Sequence, residues 1–153
     1  MEAEFDRHVE NRQHETVREL QRVYSDTVVD RFFSPKNLGR LAEPDAYGIV
    51  HGWCGDTMEI YLRLVEDRVR TARFMTDGCG ATVACGSMLS TMVTGLTLKE
   101  ALRIRPYHLI DALDGLPDDN AHCAKLAVDT LMEAIRNRLH RDLEHLRQPL
   151  LPE

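Results

Sequence analysis

Three cysteines stand beside residues that bend the chain or bind metals: Cys54 in Cys54-Gly55-Asp56, Cys79 between Gly78 and Gly80, and Cys123 directly after His122. Thiolates are soft ligands suited to iron–sulfur clusters, zinc and Cu(I), and Asp56 or His122 can supply a further donor. Glycines beside Cys54 and Cys79 let the backbone approach a metal closely or turn with positive φ. Cys123 falls in the first turn of the last expected helix, where the macrodipole favours thiolate over thiol. Taken singly, each is as readily a buried cysteine packing as a small hydrophobe. Three of them beside Gly, Asp or His point instead to metal or sulfur chemistry. No Cys-x-x-Cys occurs, so a zinc ribbon or thioredoxin-like site has no support. His122 and Cys123 are consecutive on a helix, where side chains diverge by about 100°, and a Cys–His protease pair is not expected.

Other chemistry-bearing residues have plainer readings. Cys85 shares a helix face with Met88 and Met92 and is expected to pack, with an accessory thiol as the alternative. Met75, Met88 and Met92 fill core gaps rather than bind copper. His51, three residues before Cys54, is a loop histidine that could point into the site. His8, His14, His140 and His145 lie in polar helical surroundings. Residues 136–147 mix both charge signs, as a solvated helix face does. Leu116 and Pro117 form a loop whose apolar side chains could meet a partner.

The elements that must position the thiols are legible from periodicity. Val17, Leu20, Tyr24, Val28 and Phe32 recur every three or four residues and predict one helix, stopped by Ser34-Pro35. Residues 1–16 are mostly polar, either a solvated helix or a frayed arm. Met58, Ile60, Leu62 and Leu64 alternate with polar residues and predict a half-buried strand; Val69 to Met75 predicts its hairpin partner. Ile49-Val50 adds a third strand at one edge. Ala81 to Thr94 reads as a helix ended by Gly95, Thr97 to Glu100 as a capping box, and Pro106 as the start of a short helix. A long last helix should begin near Asn120 and run past Leu143. The class is α+β: a small antiparallel sheet of about three strands packed by several helices. The hairpin returns Cys79 to the end of the sheet that Cys54 leaves, so the two should meet there.

The 153 residues are 43% hydrophobic and 29% charged, which suits one globular domain. A formal charge of −6 with interspersed signs disfavours nucleic acid as a partner. No apolar run reaches the roughly 20 residues of a membrane span, and the polar start is unlike a secretory signal. The expectation is a soluble, cytoplasmic protein.

At this point three segments become recognisable: GWCGDTMEIYLRL, ARFMTDGCGATVACGSMLSTMVTGLTLKEAL and GLPDDNAHCAKLAVDTLMEAI. They resemble the IscU/NifU-type iron–sulfur cluster assembly scaffolds, in order from about Tyr24 to about Ile135. The resemblance implies a scaffold domain over residues 24–147, preceded by a polar helical arm (1–23) and followed by a short tail (148–153). It implies Cys54, Cys79 and Cys123 as ligands, Asp56 as the carboxylate associated with cluster lability, and His122 as the histidine beside the last ligand. It further implies assembly of a [2Fe–2S] cluster, or binding of iron, without enzymatic turnover. A cysteine desulfurase would supply sulfur, with Cys123 as persulfide acceptor, a ferredoxin would supply electrons, and apo iron–sulfur proteins would receive the cluster. The segment Leu116-Pro117-Asp118-Asp119-Asn120 lacks the lysine that a dedicated Hsp70 chaperone reads in many members. Two alternatives use the same thiols: a zinc-dependent, SufU-like sulfurtransferase, and a structural zinc module for protein interaction. His122 and the compact spacing favour the scaffold.

Overall fold

A computed structural model describes residues 1–148; of the expected tail, residues 149–153 lie outside the described part. In chain order the elements are α1 (Glu2–Gln21), α2 (Asp26–Phe33), β1 (Ala46–His51), β2 (Thr57–Val65) and β3 (Arg68–Thr76). There follow α3 (Gly80–Val93), α4 (Leu98–Ala101), α5 (Pro106–Ala112), a 3-10 turn (Asp118–Asn120) and α6 (Ala121–Arg147). The α+β expectation holds, with a three-stranded antiparallel sheet in the order β1-β2-β3.

The single helix expected through Phe32 is two helices. Ser25 caps the second, its hydroxyl oxygen accepting from the Val28 amide at 3.1 Å while its own proton goes to the Leu113 carbonyl. A serine that satisfies an open amide starts a helix more favourably than it continues one. The apolar spacing runs across the break and so conceals it. From Glu2 onward the polar start is helical, and α1 buries no residue.

The β2–β3 hairpin closes on Glu66 and Asp67 at φ 53° and 63°, a turn whose left-handed residues match the strand twist. On the sheet, α6 packs against β1 and α3 against β3. Both approaches are close enough to require glycine. A Cβ on Gly48 would lie 2.4 Å from the Ala134 nitrogen, and one on Gly86 would lie 2.3 Å from Phe74 Cδ2. Phe74, Met58, Leu62, Leu89, Leu131 and Ile135 fill the core between sheet and helices. Cys85 is buried in that core, and Leu116 packs onto its margin rather than standing out from the loop. Along the outer end of α6, Arg138–Asp142 and His140–Glu144 pair at 3.0 and 3.2 Å, the solvated mixed-charge face expected. Among the described residues, no helix is long and apolar enough to cross a membrane.

Candidate functional site

Register brings the thiols to one end of the sheet. Met58 of β2 pairs with Val50 of β1 and Thr76 of β3. The β1–β2 turn that carries Cys54 and the exit of β3 that carries Cys79 therefore share an edge. In the turn, the Gly52 amide donates to the Asp56 carbonyl at 2.7 Å and the Gly55 amide to the Gly52 carbonyl at 3.0 Å. Gly55 has φ +92° with open space around it, a conformation an L side chain resists. Cys54 and Cys79 are exposed, whereas Cys123, in the first turn of α6, is fully buried.

One buried hydroxyl links three of the expected site residues. Thr82 Oγ1 lies 3.1 Å from Asp56 Oδ2, 3.3 Å from Cys123 Sγ and 3.6 Å from Cys79 Sγ. The placement follows from local structure, because Cys79 is the N-cap of α3 and Thr82 its third residue, so their side chains meet across the first turn. Gly78 completes the arrangement: a Cβ there would lie 2.8 Å from Asp56 Oδ2 and 2.7 Å from the Thr82 Cβ.

Cys54 lies apart from that hydroxyl. It lines a cleft of about 170 Å³ with Trp53, His122, Lys125 and Leu126. The exposed Trp53 indole stacks on His122 at 5.4 Å between ring centroids. Contrary to the expected divergence of helical neighbours, His122 Nε2 comes within 3.6 Å of Cys123 Sγ. The imidazole therefore joins the two thiol environments. His51 hydrogen-bonds Thr57 Oγ1 at 2.8 Å through Nδ1, on the rim of the same cleft. Among the described residues, no three His, Cys, Asp or Glu side chains converge closely enough to hold a metal as they stand.

Electrostatics reverse the expected thiolate preference. Burial pushes the Cys79 thiol up, but the Thr82 hydroxyl, the Thr82 and Ala81 amides and the Cys123 thiol outweigh it and leave it below its ordinary value. No cap hydrogen bond of normal geometry forms, so those amides act as dipoles pointed at the sulfur. Burial raises the Cys123 thiol, and neighbouring Cys79 adds to this, against the opposing pull of Thr82 and Asn120. The helix start is present at Cys123, yet desolvation and a second sulfur exceed it. Burial also raises Cys85 strongly. Tyr24 stands at the edge of the sulfurs, its hydroxyl donating to Asn120 Oδ1 at 3.2 Å. Burial and the two nearby thiols raise its pKa.

Thr82, Trp53 and Tyr24 are the site neighbours that sequence reasoning did not assign. The Thr82 signal was available in principle, since a residue three after a cap can reach back to it. Trp53 directly precedes Cys54 in the chain, whereas the apolar spacing of Tyr24 spoke only for a helix face.

A three-stranded antiparallel sheet backed by helices, with thiols, a carboxylate and an imidazole at one end, defines a small α+β protein. Residues 23–145 match the NifU-like N terminal domain family. The chain is 41% identical over 114 residues to the iron-sulfur cluster assembly scaffold protein IscU 1 of Archaeoglobus fulgidus, covering 74% of each. It is 35% identical over 123 residues to the iron-sulfur cluster assembly scaffold protein IscU of Azotobacter vinelandii, covering 77% of this chain and 95% of that one. A crystal structure of a NifU-like protein (N-terminal) from Brucella abortus shares the fold at TM-score 0.63 and 23% identity, over 78% of this chain and 96% of that one. The chain belongs to the NifU-like N-terminal domain family.

Proposed function

We propose that the protein is a scaffold on which an iron–sulfur cluster is built and from which it is passed on. The cluster is cargo rather than a resident cofactor. The observation that carries this reading is the open donor set: Asp56, Cys79 and Cys123 gather around one hydroxyl, with Cys54 and His122 in the adjoining cleft. These are soft thiolate donors of the kind that bind cluster iron, with one harder carboxylate among them, and the names of the relatives support the same reading.

In this reading Cys54, Cys79 and Cys123 supply thiolates to a [2Fe–2S] cluster, and His122 stands ready beside Cys123. Asp56 is the weaker, exchangeable donor, because a hard carboxylate competes poorly with thiolate for cluster iron. Cys123 is the sulfur acceptor once the burial that raises its pKa is relieved. Its thiolate attacks the outer sulfur of a desulfurase persulfide, a new S–S bond forms, the donor S–S bond breaks, and the donor cysteine leaves as thiolate. A ferredoxin-type donor then supplies the two electrons that reduce the accepted sulfur to sulfide. The burial of Cys123 requires His122 and Trp53 to yield during that transfer. No chemical turnover is assigned to the chain itself. The cluster-building unit spans residues 24–147, with 1–23 as an arm, and the free thiols suit the cytoplasm.

Anaerobic reconstitution with ferrous iron, sulfide and reductant, read by absorption and Mössbauer spectra, tests the reading. The expected product is a coloured cluster that Cys54→Ala, Cys79→Ala and Cys123→Ala each abolish and Cys85→Ala keeps. A protein that binds only zinc tightly and forms no transferable cluster would refute it.

A further inference from the structure

Thr82 is wholly buried, yet its hydroxyl is surrounded by the groups expected to handle iron. A hydroxyl has one proton to give and two lone pairs with which to accept. Asp56 Oδ2 at 3.1 Å is the strongest acceptor within reach, since bonds to an ionised carboxylate are charge-assisted. The same hydroxyl lies 3.3 Å from Cys123 Sγ, a weaker acceptor, and 3.6 Å from Cys79 Sγ. Among the described residues no other hydrogen bond reaches the Asp56 carboxylate. A Cβ on Gly78 would lie 2.8 Å from Asp56 Oδ2 and 2.7 Å from the Thr82 Cβ, so the glycine leaves the room in which carboxylate and hydroxyl meet. Among the described residues the Thr82 hydroxyl is thus the one hydrogen-bonding hold on the carboxylate.

We propose that Thr82 is a positioning residue: its hydroxyl anchors the Asp56 carboxylate against the Cys79–Cys123 pair and so sets how fast the cargo is released. The proposal rests on the labilising role of Asp56 in the proposed function. Without the hydroxyl the carboxylate swings to solvent, and a cluster on the three thiolates loses its exchangeable neighbour.

The experiment compares Thr82→Val, which keeps the branched shape of a buried side chain, with Thr82→Ser, which keeps the hydroxyl. Both are measured beside Asp56→Ala and the double variant Asp56→Ala/Thr82→Val. The readout is the rate of cluster transfer from reconstituted protein to apo-ferredoxin. Asp56→Ala should slow transfer, and Thr82→Val should slow it by about threefold or more, a modest return for one hydrogen bond to a charged group. Thr82→Ser should transfer at close to the wild-type rate. The double variant should match Asp56→Ala, because the hydroxyl acts through the carboxylate. In the metal-free protein, the Asp56 13Cγ resonance should move in Thr82→Val and stay in Thr82→Ser. If Thr82→Val does not fold, Thr82→Ala carries the same expectations. A wild-type transfer rate in Thr82→Val while Asp56→Ala is slow overturns the anchor alone. An additive double variant does the same. An Asp56→Ala protein that transfers as fast as wild type or faster overturns the labilising role and the anchor together.

Discussion

The indole of Trp53 and the imidazole of His122 stack at 5.4 Å between ring centroids, at a tilt of 59°. This contact joins the β1–β2 turn to the start of α6 and forms one wall of the Cys54 cleft. Trp53 is the only tryptophan in the chain and is 85% exposed, an unusual position for so large an apolar surface. Its fluorescence therefore reports on the cleft alone. Titrating ferrous iron and sulfide into the metal-free protein should quench it in step with the visible chromophore, and Cys54→Ala should remove the quenching. Quenching that persists unchanged in Cys54→Ala would detach the cleft from cluster binding.

The helix–sheet contact behind the site has no room for a methyl group. Alanine in place of Gly86 gains about 1 kcal/mol of helix propensity, but its Cβ would lie 2.3 Å from Phe74 Cδ2, on a ring that is itself fully buried. Overpacking of this kind costs about 1–3 kcal/mol. Gly86→Ala should melt lower than wild type in calorimetry, by about 2–4 °C for each net kcal/mol lost. A melting temperature above wild type would mean that α3 slides off the sheet without penalty.

The cap that divides α1 from α2 has a measurable worth. Ser25 accepts from the Val28 amide and donates to the Leu113 carbonyl, tying α2 to the end of α5. Ser25→Ala should cost about 1 kcal/mol in denaturant unfolding for the cap alone, and more for the carbonyl left behind. Ser25→Asn, which keeps a capping oxygen, should recover part of the loss. Equal stability of Ser25→Ala and wild type would show that the break at residues 22–25 does not depend on the cap.

How much of this was legible beforehand differs by kind of signal. Met58 to Leu64 announced a strand because Met58, Ile60 and Leu62 are buried while Glu59 is half-buried and Arg63 exposed, and period two records that difference even though Tyr61 is buried as well. Thr97 and Glu100 announced α4 because a capping box is a local bond, and both halves of it form. The break before Ser25 was hidden because apolar spacing records which face is buried, not whether the backbone is continuous. The site shows the same division. Cys54, Cys79, Cys123, Asp56 and His122 stood out as candidates by their chemistry and their neighbours in the chain. Thr82 was not found, since a threonine in a helix is unremarkable until Asp56 arrives from a turn 26 residues earlier. His122 reached Cys123 through its own side-chain torsions, which helical spacing does not describe.

Thiol reactivity offers the last test, because dipole and burial predict opposite orders. A helix start alone would make Cys123 the most reactive thiol. Its full burial and the neighbouring sulfur raise its pKa, while Cys79 is exposed and held below its ordinary value by Thr82, the α3 amides and Cys123. The sign follows directly. A thiol with a lowered pKa keeps more thiolate as pH falls, so its reaction fades last on acidification, whereas a raised pKa demands alkaline pH for the same rate. In metal-free protein treated with iodoacetamide and mapped by mass, Cys79 should be alkylated well before Cys123 at neutral pH. The gap should narrow as pH is raised and Cys123 in turn gains thiolate. Cys85, buried and raised furthest, should react only when the protein unfolds. If Cys123 is instead marked first at every pH, the macrodipole outweighs burial at this helix start, and sulfur can enter Cys123 without displacing His122 or Trp53.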